Sequence, residues 1–420
     1  MLRKVGIVFL SMALAITAAG CYAQVNAPTQ STSLPPDTQQ QTSPQPDASG
    51  PSYAINHVEP MGTKATYNIR TANAGYGLDV FPTADGSSVY FPGTVVRYYD
   101  MASDTSFAAC PIPGCTHENK TCPSRIPGAL AFCADENYWC AFTQQDWILS
   151  FLRIDVRTGE RTVLHTWERG WRFGEAIMSS GCVLADLSYM GEDQSTARSY
   201  VSIDLARGTV KEFARADEMG EGRLAGGSAN VAIMEWLSFP EPLLTTQQWL
   251  KENPGQSEED YFAYTDRMYN EEGITTIRKF DLATGTYEDM QLGENVRLFS
   301  DPNICYNDHF VYRKGNSVML GSITGKETRT VFTADGISTA WLMDGRVFIL
   351  RRLDGNVQEW VADMDGGEAL LLHDYGQVEG ITFSAVDECK DYFFGLDDHG
   401  SSYISKADYY AGKFDKAIAF

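Results

Sequence analysis

The chain has 420 residues, 33 of them Lys or Arg and 55 Asp or Glu, for a formal net charge of −22. That acidity excludes nucleic-acid backbone binding, which needs clustered cations to release counterions, and disfavours adhesion to an anionic membrane through protein charge. With 43% hydrophobic and 12% aromatic residues, the chain is too apolar to be disordered throughout and long enough for a large core.

Arg3 and Lys4 form a short basic start, and Val5 to Ala19 is an apolar stretch of signal-peptide length. It falls short of the roughly 20 residues a membrane-spanning helix needs. The following Ala18-Ala19-Gly20-Cys21 resembles the lipobox of bacterial lipoproteins, with Ala18 where Leu is usual. The resemblance implies a signal peptide over 1–20 and lipid attachment at Cys21, on the extracytoplasmic face of a bacterial membrane. An ordinary secretory peptide cut near Ala23 is the alternative. No second apolar run of 18 residues follows, so a lipid, not a span, is the expected anchor. Residues 22–52 are a Gln/Ser/Thr/Pro tract that cannot bury enough surface to offset chain entropy, and so reads as a flexible tether.

From residue 62 the pattern becomes short alternating strands between Gly, Asp and Asn turns. One strand–turn–strand unit recurs at 152–164, 201–213, 277–290, 318–332, 359–372 and 402–418, after a degenerate copy at 95–107. Its turn glycines are Gly159, Gly208, Gly285, Gly325, Gly367 and Gly412, each expected to supply the positive φ that tight hairpins demand. They are spaced 49, 77, 40, 42 and 45 residues apart, and a β-propeller blade takes about 40–45. A second hairpin precedes six of these seven units, all but 277–290, at 83–91, 134–142, 179–187, 306–313, 343–350 and 389–396. Two hairpins per repeat make a four-stranded antiparallel blade, and stacking explains how so long a chain forms one domain over 53–420. The expected fold is all-β: a single propeller of seven blades, with six or eight blades, or a pair of sandwiches, as alternatives.

The 77-residue interval holds an insertion at 240–274 that does not read as strand. There Ser257-Glu258-Glu259-Asp260 forms a capping-box pattern, followed by Tyr261, Phe262, Tyr264, Met268 and Tyr269 and stopped at Gly273, which predicts a helix. TADGSSVYF (83–91) is similar to the SPDGxxIxF turn of TolB-like and WD40-like propellers. The whole arrangement looks like the uncharacterised propeller lipoproteins of anaerobic bacteria, a resemblance that covers most of 62–420 and implies no particular activity.

Apart from Cys21 there are eight cysteines, five of them within residues 110–140. Cys110, Cys115, His117 and Cys122 are spaced C-x4-C-x-H-x4-C, a proper tetrahedral donor set for a structural zinc. A similar Cys-Pro-Cys-His run occurs in the lipoproteins just named. Outside the cytoplasm, closely spaced cysteines are more often disulfides, so a Cys110–Cys122 or Cys115–Cys122 bridge stands beside the metal reading. Cys133 and Cys140 are placed to face each other across one hairpin. Cys182, Cys305 and Cys389 fall singly in three blades and read as packed small residues.

No GxSxG, HExxH, Walker or dinucleotide motif is present, nor the SxDxGxTW turn of sialidase-type propellers. His165 and His373 each lie six residues after a turn glycine, a shared phase that suggests a blade-edge position. His57, His309 and His399 have no partner the sequence identifies, and the Asp363/Asp365 pair reads as a hairpin turn instead of a calcium loop. Trp139, Trp147, Trp167 and Trp171 cluster around one blade, either as packing between sheets or as a stacking surface for sugars or a peptide. Together these features point to a non-catalytic binding or interaction module for an extracellular glycan, peptide or protein, with the 240–274 insertion the preferred contact element. The alternatives are a propeller enzyme acting on extracellular glycans or peptides, with acidic residues in the central channel, and a metal- or redox-sensing lipoprotein.

Overall fold

The turns between third and fourth strands show how local chemistry builds this fold. In DVRTG, DLARG and DLATG, the side chains of Asp155, Asp204 and Asp281 accept from the backbone N–H of Thr158, Arg207 and Thr284, each at 2.8 Å. The glycine one residue later adopts positive φ (73° at Gly159, 68° at Gly208, 76° at Gly285) and donates its own N–H to the aspartate carbonyl at 2.8 Å. An Asp side chain satisfies the donors and Gly supplies the left-handed step, so the chain reverses within five residues. Gly367 and Gly412 also have positive φ, but Gly325 does not. It stands one residue nearer its anchor, where Thr158, Arg207 and Thr284 stand, and like them donates to the anchor side chain, Ser322 Oγ, at 2.7 Å.

The computed structural model describes residues 80–419, apart from 84–86, 92–94, 136, 180, 192–195, 229, 301–302, 378–382 and 398–399. The leader, Cys21, the tether, His57 and His399 lie outside the described residues. Seven antiparallel sheets of four consecutive strands form a seven-bladed β-propeller, with blades at 81–108, 129–166, 171–216, 220–289, 296–333, 337–377 and 383–419. Blade 5 carries an additional two-residue strand, Cys305–Tyr306. Six of the expected third-to-fourth hairpins form as read. The last differs: after the strand Gly400–Ser405 the chain turns into a helix, Lys406–Tyr410, before the short strand Ile418–Ala419. Ser405 caps that helix by accepting from Asp408 N at 3.1 Å, an S-x-x-D signature that outweighs the strand pattern.

Every blade is built from consecutive strands of its own, and among the described residues side-chain packing joins first and last. Val80, Val89, Tyr99 and Met101 of blade 1 pack with Cys389, Phe394 and Tyr403 of blade 7. Tyr99 and Tyr403 also share a hydroxyl contact at 3.2 Å. Between blades 2 and 3, 3 and 4, and 5 and 6, a cation hooks the next blade's turn. Arg153 reaches the Leu205 carbonyl, Lys211 Nζ the Leu282 carbonyl at 3.1 Å, and Arg329 Nη2 the Met364 carbonyl at 2.9 Å. Each acceptor is the residue after the anchoring aspartate.

The insertion lies between the second and third strands of blade 4, Val231–Ser238 and Ile274–Asp281. It contains the expected helix Glu258–Arg267, with Ser257 and Asp260 forming the capping box, and a helix the sequence reading missed, Thr246–Glu252, capped by Thr245 and Gln248. Phe239, Trp249, Tyr264 and Met268 give these helices a small core of their own.

Candidate metal centre and ring face

The connection between blades 1 and 2 folds into two tight turns that gather its ligand atoms. Pro111 and Pro113 stiffen the first and Gly114 supplies its left-handed step (φ 69°), where Cys115 N donates to Ile112 O at 3.3 Å. His117 is itself left-handed (φ 60°), and Asn119 anchors the second turn, accepting from Thr121 N at its side chain (3.1 Å) and from Cys122 N at its carbonyl (3.0 Å). The ligand atoms of Cys110, Cys115, His117 and Cys122 all lie within 4.8 Å of one another. Cys110 Sγ is 3.8 Å from Cys122 Sγ, and His117 Nδ1 is 3.4 Å from the same sulfur. The edges of a tetrahedron around zinc, with bonds of about 2.3 Å to sulfur and 2.0–2.1 Å to nitrogen, are roughly 3.8 and 3.5 Å. A disulfide would need about 2.05 Å, and none of the eight cysteines among the described residues is bridged in this structure. Burial opposes ionisation of the Cys122 thiol, but hydrogen bonds from Ser124, His117 and Cys115 outweigh it and bring the thiol down to about 6.

The remaining cysteines play no part in this group. Cys133 and Cys140 are register partners on adjacent strands, both buried. Cys182 and Cys389 are buried, and Cys305 packs into the space left by Gly226; burial pushes these three thiols up to about 11, 12 and 12 respectively. His165 and His373 do occupy matching positions opposite the third strand, facing Phe151 and Glu359. Their surroundings differ: His165 is exposed beside Trp167, while His373 is buried against Tyr409 and Phe414. Asp363 is a turn residue, as read, and accepts from Arg346 Nε at 2.9 Å.

The inner strands carry acidic residues that are largely committed to neighbours. Arg198 Nε donates to both carboxylate oxygens of Asp186, at 2.9 and 3.0 Å. Glu235 accepts from Leu298 N of the next blade at 2.9 Å and from Arg223 at 3.3 Å. Glu175, opposite Asp186 in the ladder, is raised to about 7 by burial, which Arg223 opposes and Asp186 reinforces. Between blades 6 and 7, Lys406 Nζ donates to Asp344 Oδ1 at 3.0 Å and Glu388 Oε2 at 2.7 Å. The Tyr409 and Tyr375 hydroxyls donate to Glu359 at 2.7 and 3.0 Å.

Of the four clustered tryptophans, Trp139 and Trp167 are buried packing residues and Trp171 lies half-buried on Tyr189. Trp147 differs. It is 59% exposed, at the tip of the two-residue turn joining the second and third strands of blade 2. Both turn residues are left-handed, Asp146 at φ 53° and Trp147 at φ 65°. A type I′ turn favours Asn-Gly or Asp-Gly there, so a tryptophan in the second place is strained. The Arg172 guanidinium sits 5.6 Å from its ring. The sheet ends on that side of the ring also present Ile148, Met190, Met219, Ile274 and Leu353 as exposed apolar side chains. The sequence placed Trp147 among candidates, and its left-handed backbone could have been suspected from two unbroken alternating strands separated by Asp146-Trp147 alone.

No family profile matches the chain, and no curated protein matches it. Among solved structures, an oligogalacturonate lyase in complex with manganese aligns at TM-score 0.48 and 11% identity, over 80% of this chain and 90% of that one. The β-propeller domain of the Trilobed protease from Pyrococcus furiosus aligns at 0.46 and 9%, over 80% and 93% respectively. TolB from Acinetobacter baumannii aligns at 0.33 and 11%, over 79% and 76%. At these scores the likenesses say nothing of activity; this chain's own strand order makes it a seven-bladed propeller.

Proposed function

We propose that this protein is a lipid-anchored, extracytoplasmic propeller that binds a glycan, peptide or protein ligand through the ring face bearing Trp147, without transforming it. One observation carries the reading: a large aromatic side chain is held exposed, in a strained backbone conformation, at a turn where glycine would serve folding better. Strain kept at an exposed aromatic is the mark of a contact residue. In the same reading the helical insertion extends that face, Cys21 holds the lipid, and the Cys–His loop is scaffold, with zinc as the metal that its donors suit. Binding and turnover are measured together on the detergent-solubilised full chain against cell-wall and dietary glycans and peptides. Binding that falls at least tenfold in Trp147→Ala, with no product released, supports the proposal. Undiminished binding in that variant overturns the assignment of the face.

A second reading, an enzyme acting on extracellular glycans or peptides, is favoured by Glu175, whose carboxyl is raised to about 7 beside Asp186 and Arg223. A group titrating there suits general acid–base work. Turnover abolished by Glu175→Gln supports this second reading.

A further inference from the structure

Blade 1 is slight. Its strands have two, four, four and four residues, and its outer strand Thr105–Ala108 is mostly exposed. In blades 3, 4 and 6 a cation from the preceding blade hooks the third-to-fourth turn. In blade 2 the 109–128 connection occupies that place. Pro123 and Pro111 lie against Gly159, where any Cβ would overlap Pro123 and come within 3.2 Å of Pro111. Arg161, from blade 2's outer strand, reaches back into the connection, donating to the carbonyls of Lys120 (3.1 Å), Cys122 (2.6 Å), Pro123 (3.3 Å) and Arg125. On its other side the connection is tied to blade 1, through Val96 N donating to Ser124 O at 2.6 Å and Ala109 N donating to Val96 O at 2.9 Å. Cys110, Cys115 and His117 lie in its first half; Cys122, whose carbonyl Arg161 holds, lies in its second.

Resting on the structural reading of this loop, we propose that Cys110, Cys115, His117 and Cys122 hold one zinc ion, and that this ion locks blade 1 onto the outer edge of blade 2. Three thiolates and an imidazole select a borderline-soft metal over calcium, magnesium or manganese, which take oxygen ligands. Four protein donors, gathered within 4.8 Å of one another, complete a tetrahedral set and leave no open position for substrate, so the ion is structural. It closes the loop on itself, and the closed loop presents the carbonyls that Arg161 grips. Without the ion, the two halves of the connection are joined only by backbone turns, their shared contacts with Val96 and the hydrogen bond from Arg125 Nη1 to Glu118 O at 2.7 Å, and the hold of blade 2 on blade 1 is weakened at its centre.

The test uses the full chain in detergent, purified without oxygen. Elemental analysis should give one zinc per chain, and cobalt in its place should show thiolate-to-metal absorption with the intense visible bands of a tetrahedral site. Hydrogen exchange is then followed before and after chelation. Chelation should speed exchange at least tenfold across 97–128 and 161–166 while leaving blades 4 and 6 unchanged. Arg161→Ala should keep its zinc yet exchange fast over the same segments. Absence of zinc, with a Cys110–Cys122 disulfide in the peptide map, overturns both the site and the clamp, as does zinc retained when Cys115→Ser and His117→Ala are combined. One zinc per chain with no local change on chelation overturns the clamp and leaves the site standing. None of these outcomes bears on ligand binding by the Trp147 face, which the binding measurement reads separately.

Discussion

Arg161 Nη2 lies 2.6 Å from the carbonyl oxygen of Cys122, so the outer strand of blade 2 grips the backbone of a residue in the thiol–imidazole cluster. Gly159, two residues earlier, is pressed against Pro123. The connection is thus held by one side chain and by the absence of another.

That absence separates two otherwise matched glycines. Gly159 and Gly285 occupy the same place in equivalent turns, with φ of 73° and 76°, but the nearest atom a Cβ would meet at Gly285 is Phe213 O at 3.6 Å. Gly285→Ala should cost only the left-handed strain, about 1–2 kcal/mol. Gly159→Ala should cost more, because the prolines must move as well, and should weaken metal uptake by the loop. Denaturant melts compare the stabilities, and competition against a zinc chelator reads the uptake.

Trp147→Gly should separate stability from function. Glycine takes φ 65° without strain, and Asp146-Gly would be a favoured type I′ pair. The variant should gain about 0.5–1 kcal/mol in a urea melt and lose ligand binding. A loss of stability would mean the ring contributes more through Arg172 than its backbone strain removes.

Lys406 is buried between two carboxylates, Asp344 and Glu388. Lys406→Met removes the cation of Glu388 and leaves Asp344 with Arg346, 3.8 Å away, and breaking a buried pair in this way costs about 3–5 kcal/mol. Burial already raises the Glu388 carboxyl, and Lys406 is foremost among the groups holding it down. A carboxyl raised in the folded state stabilises at low pH and loses that contribution as pH rises. The deficit of the variant relative to the parent should therefore be smaller at pH 5 than at pH 7.5, as measured by denaturant melts at both.

Glu359 and His373 should pull the acid stability in opposite directions. Burial holds the Glu359 carboxyl at about 7 against an ordinary 4.5, despite hydrogen bonds from Tyr409 and Tyr375. Its contribution is complete below pH 4.5 and lost as pH rises to 7. Burial pushes His373 down to about 4 from 6.5, opposed by a backbone contact at Tyr409. That contribution is complete above pH 6.5 and lost as pH falls to 4. The two windows overlap and largely offset. Glu359→Gln removes one side, so its stability should fall more steeply than the parent's between pH 7 and 4, by up to about 3 kcal/mol. Parallel slopes in the two proteins would show that Glu359 does not titrate in that range.

The repeat was legible because its causes are local. Asp155, Asp204 and Asp281 make their turns with residues three and four positions on, and strand alternation needs only nearest neighbours. Hence the blade count, the insertion and the capping box at Ser257 could be read from the chain. Gly325 and the 402–418 unit were misread where one residue of offset, and one serine cap, changed the outcome. Thr245 and Gln248 carry the same kind of local cap signal ahead of the helix Thr246–Glu252.

The amino-acid order by itself determined a run of repeating four-stranded units, with seven the expected count, and placed three cysteines and a histidine within thirteen residues of chain. Only the folded ring decided that their ligand atoms converge within 4.8 Å of one another, that blade 2 holds their loop through Arg161, and that Lys406 meets Asp344 from 62 residues away. Turn chemistry is written in contiguous residues, where dihedral preference and a single side-chain acceptor suffice. A buried cation's partners, and the edge a loop leans on, depend on which blades become neighbours when the ring closes, and no local preference carries that information.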